Sequence, residues 1–140
     1  MGKEPAKSEK LPLVVIPLDR IDDYTVLEKE SYEPYEGDID ACFKDIVGVS
    51  LKFNESCSHI VFKAYPPTSS YIETKPIHHS QRIVERHEDY TIFSLDLIPN
   101  YEFETIMMSY ADNCEILEPQ DLKESLVCRA KNIIKFNVGQ

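Results

Sequence analysis

The sequence predicts an α+β fold. In some short runs apolar residues alternate with period two; in others they recur at i, i+3, i+4 and i+7; and after residue 59 the two kinds follow one another in a regular order. His59 to Tyr65 (HIVFKAY) alternates as a strand and is broken by Pro66-Pro67. Thr68 to Lys75 then predicts a short helix, with Thr68 or Ser69 as cap and Tyr71 and Ile72 turned inward. Pro76 to Gln81 is a loop. Arg82 to His87 and Tyr90 to Ile98 (YTIFSLDLI) are two strands joined by the acidic turn Glu88-Asp89, a hairpin signal. Pro99-Asn100 start a helix in which Phe103, Ile106, Met107 and Tyr110 share one face. Cys114 to Leu117 is a short strand. Pro119 opens a last helix, where its missing N–H costs nothing, and Leu122, Leu126, Ala130 and Ile133 form its apolar stripe. Arg129, Lys131 and Lys135 sit toward the negative end of that helix dipole. The order is β-α-β-β-α-β plus a terminal helix, the split βαβ or ferredoxin-like arrangement. Two helices cover one sheet face, leaving the other for a partner, a ligand or the terminal helix.

Upstream the pattern is looser. Met1 to Lys10 is rich in Lys and Glu and reads as a mobile lead-in. Leu11 to Ile21 is apolar and β-branched, and Tyr24 to Glu28 continues an extended pattern, so one or two strands are expected there. Pro34 to Asp38 punctuates the chain. Ile39, Cys42, Phe43 and Ile46 then predict a short amphipathic helix capped by Asp38 and ended by Gly48.

The chain has 140 residues, 25 of them acidic and 15 basic, for a net charge of −10. One domain, or one and a half, fits this length. Nine Pro and four Gly are too few for a disordered or collagen-like chain. No stretch approaches the ~20 apolar residues of a membrane span, and no leader pattern is present. Duplex DNA binding by this chain alone is disfavoured, because phosphates call for a surplus of Lys and Arg. Most of the acidity lies between Asp22 and Asp45, a stretch with nine acidic and two basic groups. It reads as a solvated surface, or as a face that repels nucleic acid or docks a basic partner.

Cys42, Cys57, Cys114 and Cys128 show no CxxC or zinc-ribbon spacing. They are expected to be structural thiols in a reducing, cytoplasmic setting, with Cys42 and Cys128 among helical apolar residues. His59, His78, His79 and His87 offer no HxxxH pairing, so no metal is expected. No GxGxxG, P-loop, GxSxG or HExxH occurs, which argues against an enzyme and names no cofactor. One polar cluster has positive character: His78, His79 and Gln81 in the loop, with Arg82 and Arg86 expected to share a face of the following strand with Val84. It reads either as an edge strand guarded by charge or as a site for an anion such as a phosphate or a nucleic-acid backbone.

Four motifs occur in an ordered series: Leu18-Asp19-Arg20-Ile21, Phe43-Lys44-Asp45-Ile46-Val47-Gly48-Val49, Lys75-Pro76-Ile77-His78-His79-Ser80-Gln81, and Glu115-Ile116-Leu117-Glu118-Pro119-Gln120-Asp121-Leu122. In order and spacing they resemble WYL-domain transcriptional regulators over residues 11–137. The resemblance implies a bacterial regulator built from an N-terminal winged helix-turn-helix, a WYL domain of Sm-like β-barrel type, and a ferredoxin-like extension called WCX. On that reading residues 1–10 are a flexible lead-in and 11–50 the end of the WYL domain, with strands that are remnants of its barrel. Residues 51–58 are then a linker and 59–137 the WCX extension. The Trp-Tyr-Leu tripeptide that names the family is absent, and the chain contains no Trp. The chain therefore reads as a C-terminal fragment whose access to DNA would run only through a helix-turn-helix it lacks.

The resemblance further implies sensing of a nucleotide or single-stranded nucleic acid and assembly as a homodimer; the lack of a long apolar stretch leads to an expectation of no membrane partner. Arg20 lies in the motif that matches the family's ligand-facing arginine. The ligand set expected is thus Arg20, His78, His79, Gln81, Arg82 and Arg86. Two other functions compete with a sensing and dimerisation module. One is a purely structural dimerisation domain without a ligand. The other is a small ferredoxin-like hydrolase, for which Arg82 with Asn100 would be the anion-holding pair.

Overall fold

The computed structural model describes residues 13–52 and 55–139, and the chain falls into two units, residues 1–36 and 37–140. The lead-in at 1–10 lies outside the described residues, as do Leu11, Pro12 and positions 53–54 of the expected linker. The sequence reading kept 11–50 together, whereas the contacts divide the chain after Glu36.

In the first unit the described residues hold one 3-10 turn, Leu18–Arg20, closed by Arg20 N–H on Pro17 O at 3.1 Å. The strands expected at 11–21 and 24–28 are not formed among the described residues. A strand exists through its ladder, and these segments face no hydrogen-bonding neighbour; Pro17 also removes a donor from the run. Val14, Ile16, Tyr24, Val26 and Tyr32 are all exposed.

The second unit begins with α1, Ile39–Phe43, capped as expected by the Asp38 carboxylate, which accepts from Ala41 N–H at 3.1 Å. The helix stops at Phe43 rather than running to Gly48, and residues 44–49 follow as turns and bends. Gly48 does take the left-handed conformation, with φ +72°.

Seven elements then follow in the expected order: β1 Ser58–Ala64, α2 Thr68–Thr74, β2 Arg82–Arg86, β3 Thr91–Leu97, α3 Tyr101–Ser109, β4 Cys114–Glu118 and α4 Gln120–Val138. The strands form one antiparallel sheet ordered β2-β3-β1-β4, the ferredoxin-like arrangement. Alternation places Ile60, Phe62 and Ala64 of β1 and Phe93, Leu95 and Leu97 of β3 on one face, all fully buried. Phe62 and Phe93 stand opposite each other in register, with ring centroids 5.3 Å apart and nearly parallel planes. Ile72 of α2, Phe103 and Met107 of α3, and Leu122 of α4 complete this core. Burying each of the large side chains contributes about 1.5–3 kcal/mol.

The terminal helix lies along α3, leaving the second sheet face open. Ser125 Oγ donates to Glu104 Oε1 at 2.8 Å, and the Arg129 guanidinium donates to Thr105 Oγ1 at 3.1 Å while covering the Tyr101 ring. Core contact along α4 ends at Leu126; Ile133, at the end of the predicted stripe, is 53% exposed, and Phe136 is 78% exposed. On the open face His59 Nδ1 meets Asp96 Oδ1 across the strands at 2.8 Å, and Lys63 pairs with Glu115 at 3.9 Å. Tyr71 turns half outward, and α2 has Pro67 rather than Thr68 or Ser69 at its cap position. Cys128 is exposed on the outer side of α4, not among apolar neighbours as expected.

Candidate functional site

The expected polar cluster centres on the loop between α2 and β2. Its local shape comes from Gln81, whose backbone N–H closes a turn on His78 O at 3.0 Å. The Gln81 side chain accepts from Ile77 N–H at 2.9 Å and donates to Ile72 O at 3.0 Å, tying the loop to the end of α2. Both ends of this amide are thereby used within the fold.

His78 is buried, 8% exposed. Its Nδ1 accepts from Ser80 N–H at 3.2 Å and lies 2.7 Å from Ser80 Oγ, so the ring proton sits on Nε2, which donates to Lys44 O at 2.8 Å. Ser80 Oγ in turn accepts from Asp96 N–H at 2.9 Å. Burial holds the His78 imidazole below its ordinary pKa of 6.5, and the adjacent His79 pushes in the same direction. His79 Nε2 lies 2.8 Å from the same Lys44 carbonyl, and the two rings are 4.0 Å apart. A carbonyl has two lone pairs, so one oxygen serves both rings.

Arg82 Nη1 donates to His79 O at 3.2 Å and Gln81 O at 2.8 Å, while the rest of this exposed guanidinium faces solvent. Arg86 does not share its face. Arg82 pairs with Ser94 and Ile83 with Phe93, but Glu85 pairs with Ile92, so Val84 is an extra residue in the ladder. Such a bulge shifts the alternation by one position. Arg82 therefore stands on the open face, and Arg86, opposite Thr91, on the helix side. There it makes a bidentate pair with Glu73 of α2. Arg20 lies on the 3-10 turn of the first unit and is exposed. The structure thus brings together His78, His79, Gln81 and Arg82, and sets Arg86 apart.

The sequence reading missed a second set of residues that hold the same upstream segment. Asn100 is almost fully buried, and its Oδ1 caps α3 by accepting from Phe103 N–H at 2.9 Å. Its Nδ2 donates to Val47 O at 2.7 Å and Ser50 O at 3.1 Å. Glu102 Oε1 accepts from Ser50 Oγ at 2.6 Å and Ser50 N–H at 3.1 Å; these bonds hold its carboxyl below the ordinary 4.5. Ile98 N–H donates to Asp45 O at 2.7 Å. Residues 44–50 are thereby clasped from the His78 loop at one end to α3 at the other. The Pro-Asn pair signalled a helix cap, but nothing in residues 44–50 is periodic enough to show the clasp. Because the Asn100 amide is committed to α3 and to two carbonyls, it has no donor left for the anion-holding pair considered with Arg82.

Among the described residues no three His, Cys, Asp or Glu side chains converge as a metal site, and no helix is long and apolar enough to cross a membrane. All four cysteines are free thiols.

No curated protein matches the chain. The sequence profile of the WCX domain matches residues 58–134, more than half of the chain, and its first residue is the first residue of β1. The antiparallel sheet with its helices is thus the fold of a known domain: the chain belongs to the WCX family, whose domain forms the C-terminal region of WYL-type regulators.

Proposed function

We propose that this protein is the ligand-sensing and dimerisation module of a bacterial transcriptional regulator, with residues 11–50 the end of a WYL domain and the WCX fold following. The observation that carries this reading is the coincidence of the WCX match with the ferredoxin-like unit. The effector is proposed to be a nucleotide or a single-stranded nucleic acid held at the α2–β2 loop. Arg82 supplies an exposed guanidinium for a phosphate, and the exposed His79, whose carbonyl that guanidinium bonds, is proposed as a second contact in the same loop. His78 and Gln81 position the loop; Arg20, exposed on the 3-10 turn of the first unit, is proposed by itself as a ligand contact. Arg86 is neutralised by Glu73 and contributes little.

Fluorescence anisotropy with labelled 12-nucleotide single-stranded DNA and RNA, competed by mononucleotides, tests this. Saturable binding that weakens in Arg82→Ala and Arg20→Ala supports the reading; no binding, or binding indifferent to both changes, overturns it.

A second reading, a structural dimerisation domain without a ligand, is favoured by one observation: most polar groups of the loop are consumed within the fold. A stable dimer in light scattering whose melting temperature no nucleotide shifts would select it.

A further inference from the structure

An apolar cavity of the WCX unit lies away from the loop, between α3 and α4 above β4. Met107 and Met108 wall one side, Leu126 and Ala130 the other, and Cys114 and Ile116 form the floor. Its volume is about 280 Å³, just below the roughly 300–1,000 Å³ of drug-sized ligand pockets. Burial, with some help from Asp112, pushes the Cys114 thiol up to about 11. The methionine wall is unbranched and adapts to the shape of an occupant.

The rim carries one acid and one base. Glu115 is already paired with Lys63 of β1. Lys123, on the first turns of α4, has no ion-pair partner within 4 Å among the described residues, although the chain as a whole carries a charge of −10. An apolar chamber with one unpaired ammonium at its mouth matches a molecule with an apolar body and a single anionic head.

We infer that the α3–β4–α4 cavity is a second ligand site, which takes a small amphipathic carboxylate with its apolar chain between Met107 and Ala130 and its head on Lys123. The site stands apart from the phosphate-type contact proposed at Arg82 and does not depend on it. Occupancy would join α4 to α3 and β4.

Two of the chain's three methionines, Met107 and Met108, line the cavity. Methyl-labelled methionine spectra of the full chain, titrated with octanoate and separately with 1-octanol, read the site directly. Both cavity methyls should shift saturably with octanoate. Octanol should bind about two- to five-fold more weakly, the worth of one exposed charge pair. Lys123→Gln should remove that difference, and Ala130→Phe, which fills the chamber, should abolish the shifts. Val127→Glu, a rim change at a half-exposed position, should weaken octanoate more than octanol. The inference fails if the methyls do not respond, if octanol binds as well as octanoate, or if a folded Ala130→Phe still binds. It fails equally if the same methyls shift on dilution alone, since a second copy of the chain would then be the occupant.

Discussion

His78 Nε2 donates to the Lys44 carbonyl at 2.8 Å while Nδ1 of the same ring accepts from Ser80 N–H. Only the neutral imidazole satisfies both bonds, because a proton on Nδ1 would face the Ser80 amide donor. The ring is therefore a structural joint with a fixed charge state.

The pH dependence follows from that charge state. The folded-state pKa of His78 lies below 6.5. Between those two values the unfolded chain takes up a proton that the folded chain refuses, so stability falls as pH drops through this window. Above pH 6.5 the full stability is present. Urea unfolding at pH 7.5, 6.5 and 5.5 should show the decline, and His78→Gln should flatten it. Glu102, whose carboxyl is held low, adds a separate loss as pH falls below about 4.5.

Gly48 should resist replacement. Its φ of +72° disfavours any side chain, and a Cβ there would lie 2.8 Å from Glu102 Cγ. Gly48→Ala is expected to cost about 1–2 kcal/mol from the left-handed backbone alone, plus the displacement of Glu102. In a Gly48→Ala/Glu102→Ala pair the steric part should shrink to the remaining Cβ contact at 3.0 Å, leaving the costs non-additive in a double-mutant cycle.

Asn100 combines two duties, and its variants should separate them. Asn100→Ser keeps the α3 cap but cannot reach Val47 O and Ser50 O. Asn100→Ala loses the cap as well, worth about 1 kcal/mol, and leaves the same carbonyls without their donor, which costs about 1–3 kcal/mol where they stay buried. Chemical denaturation should therefore rank wild type above Ser and Ser above Ala. Limited proteolysis within 44–50 should accelerate in both variants.

Phe62→Ala should cost about 3–5 kcal/mol, because the ring is fully buried against Phe93 in the centre of the sheet. Loss of this much from a domain of ordinary stability of about 5–15 kcal/mol should lower the urea midpoint by a large fraction.

Arg82→Ala and Arg86→Ala should part company in anion binding. The first should weaken inorganic phosphate or single-stranded DNA binding; the second should leave it unchanged, since Glu73 already neutralises Arg86. Equal losses would mean that the bulge at Val84 does not separate them in solution.

Element order was legible because every strand and helix from β1 to α4 announces its period and its breaker: Pro66-Pro67, Glu88-Asp89, Pro99-Asn100, Pro119. The side of β2 on which each arginine stands was not. Arg82-Ile83-Val84-Glu85-Arg86 alternates equally well with or without an extra residue, and only pairing against Phe93 and Ile92 reveals the bulge. The first unit misled for a related reason. Val14, Val15 and Ile16 have strand propensity, but propensity forms no ladder without a neighbour. The clasp on residues 44–50 was invisible because, the Ser50 hydroxyl apart, that segment takes part through backbone groups, which every residue has. His78 and Gln81 stood out by residue type, but type alone did not say that their polar atoms would turn inward.

The length of α4 has a consequence of its own. Nineteen residues make a rod about 28 Å long, and only its opening turns, through Leu126, rest on the hydrophobic interior. From Ile133 onward the coil is held by little beyond its own i-to-i−4 amides, and segments that short are marginal in water. Deuterium should accordingly enter this helix from its carboxyl end, in a graded sweep that stalls near Leu126.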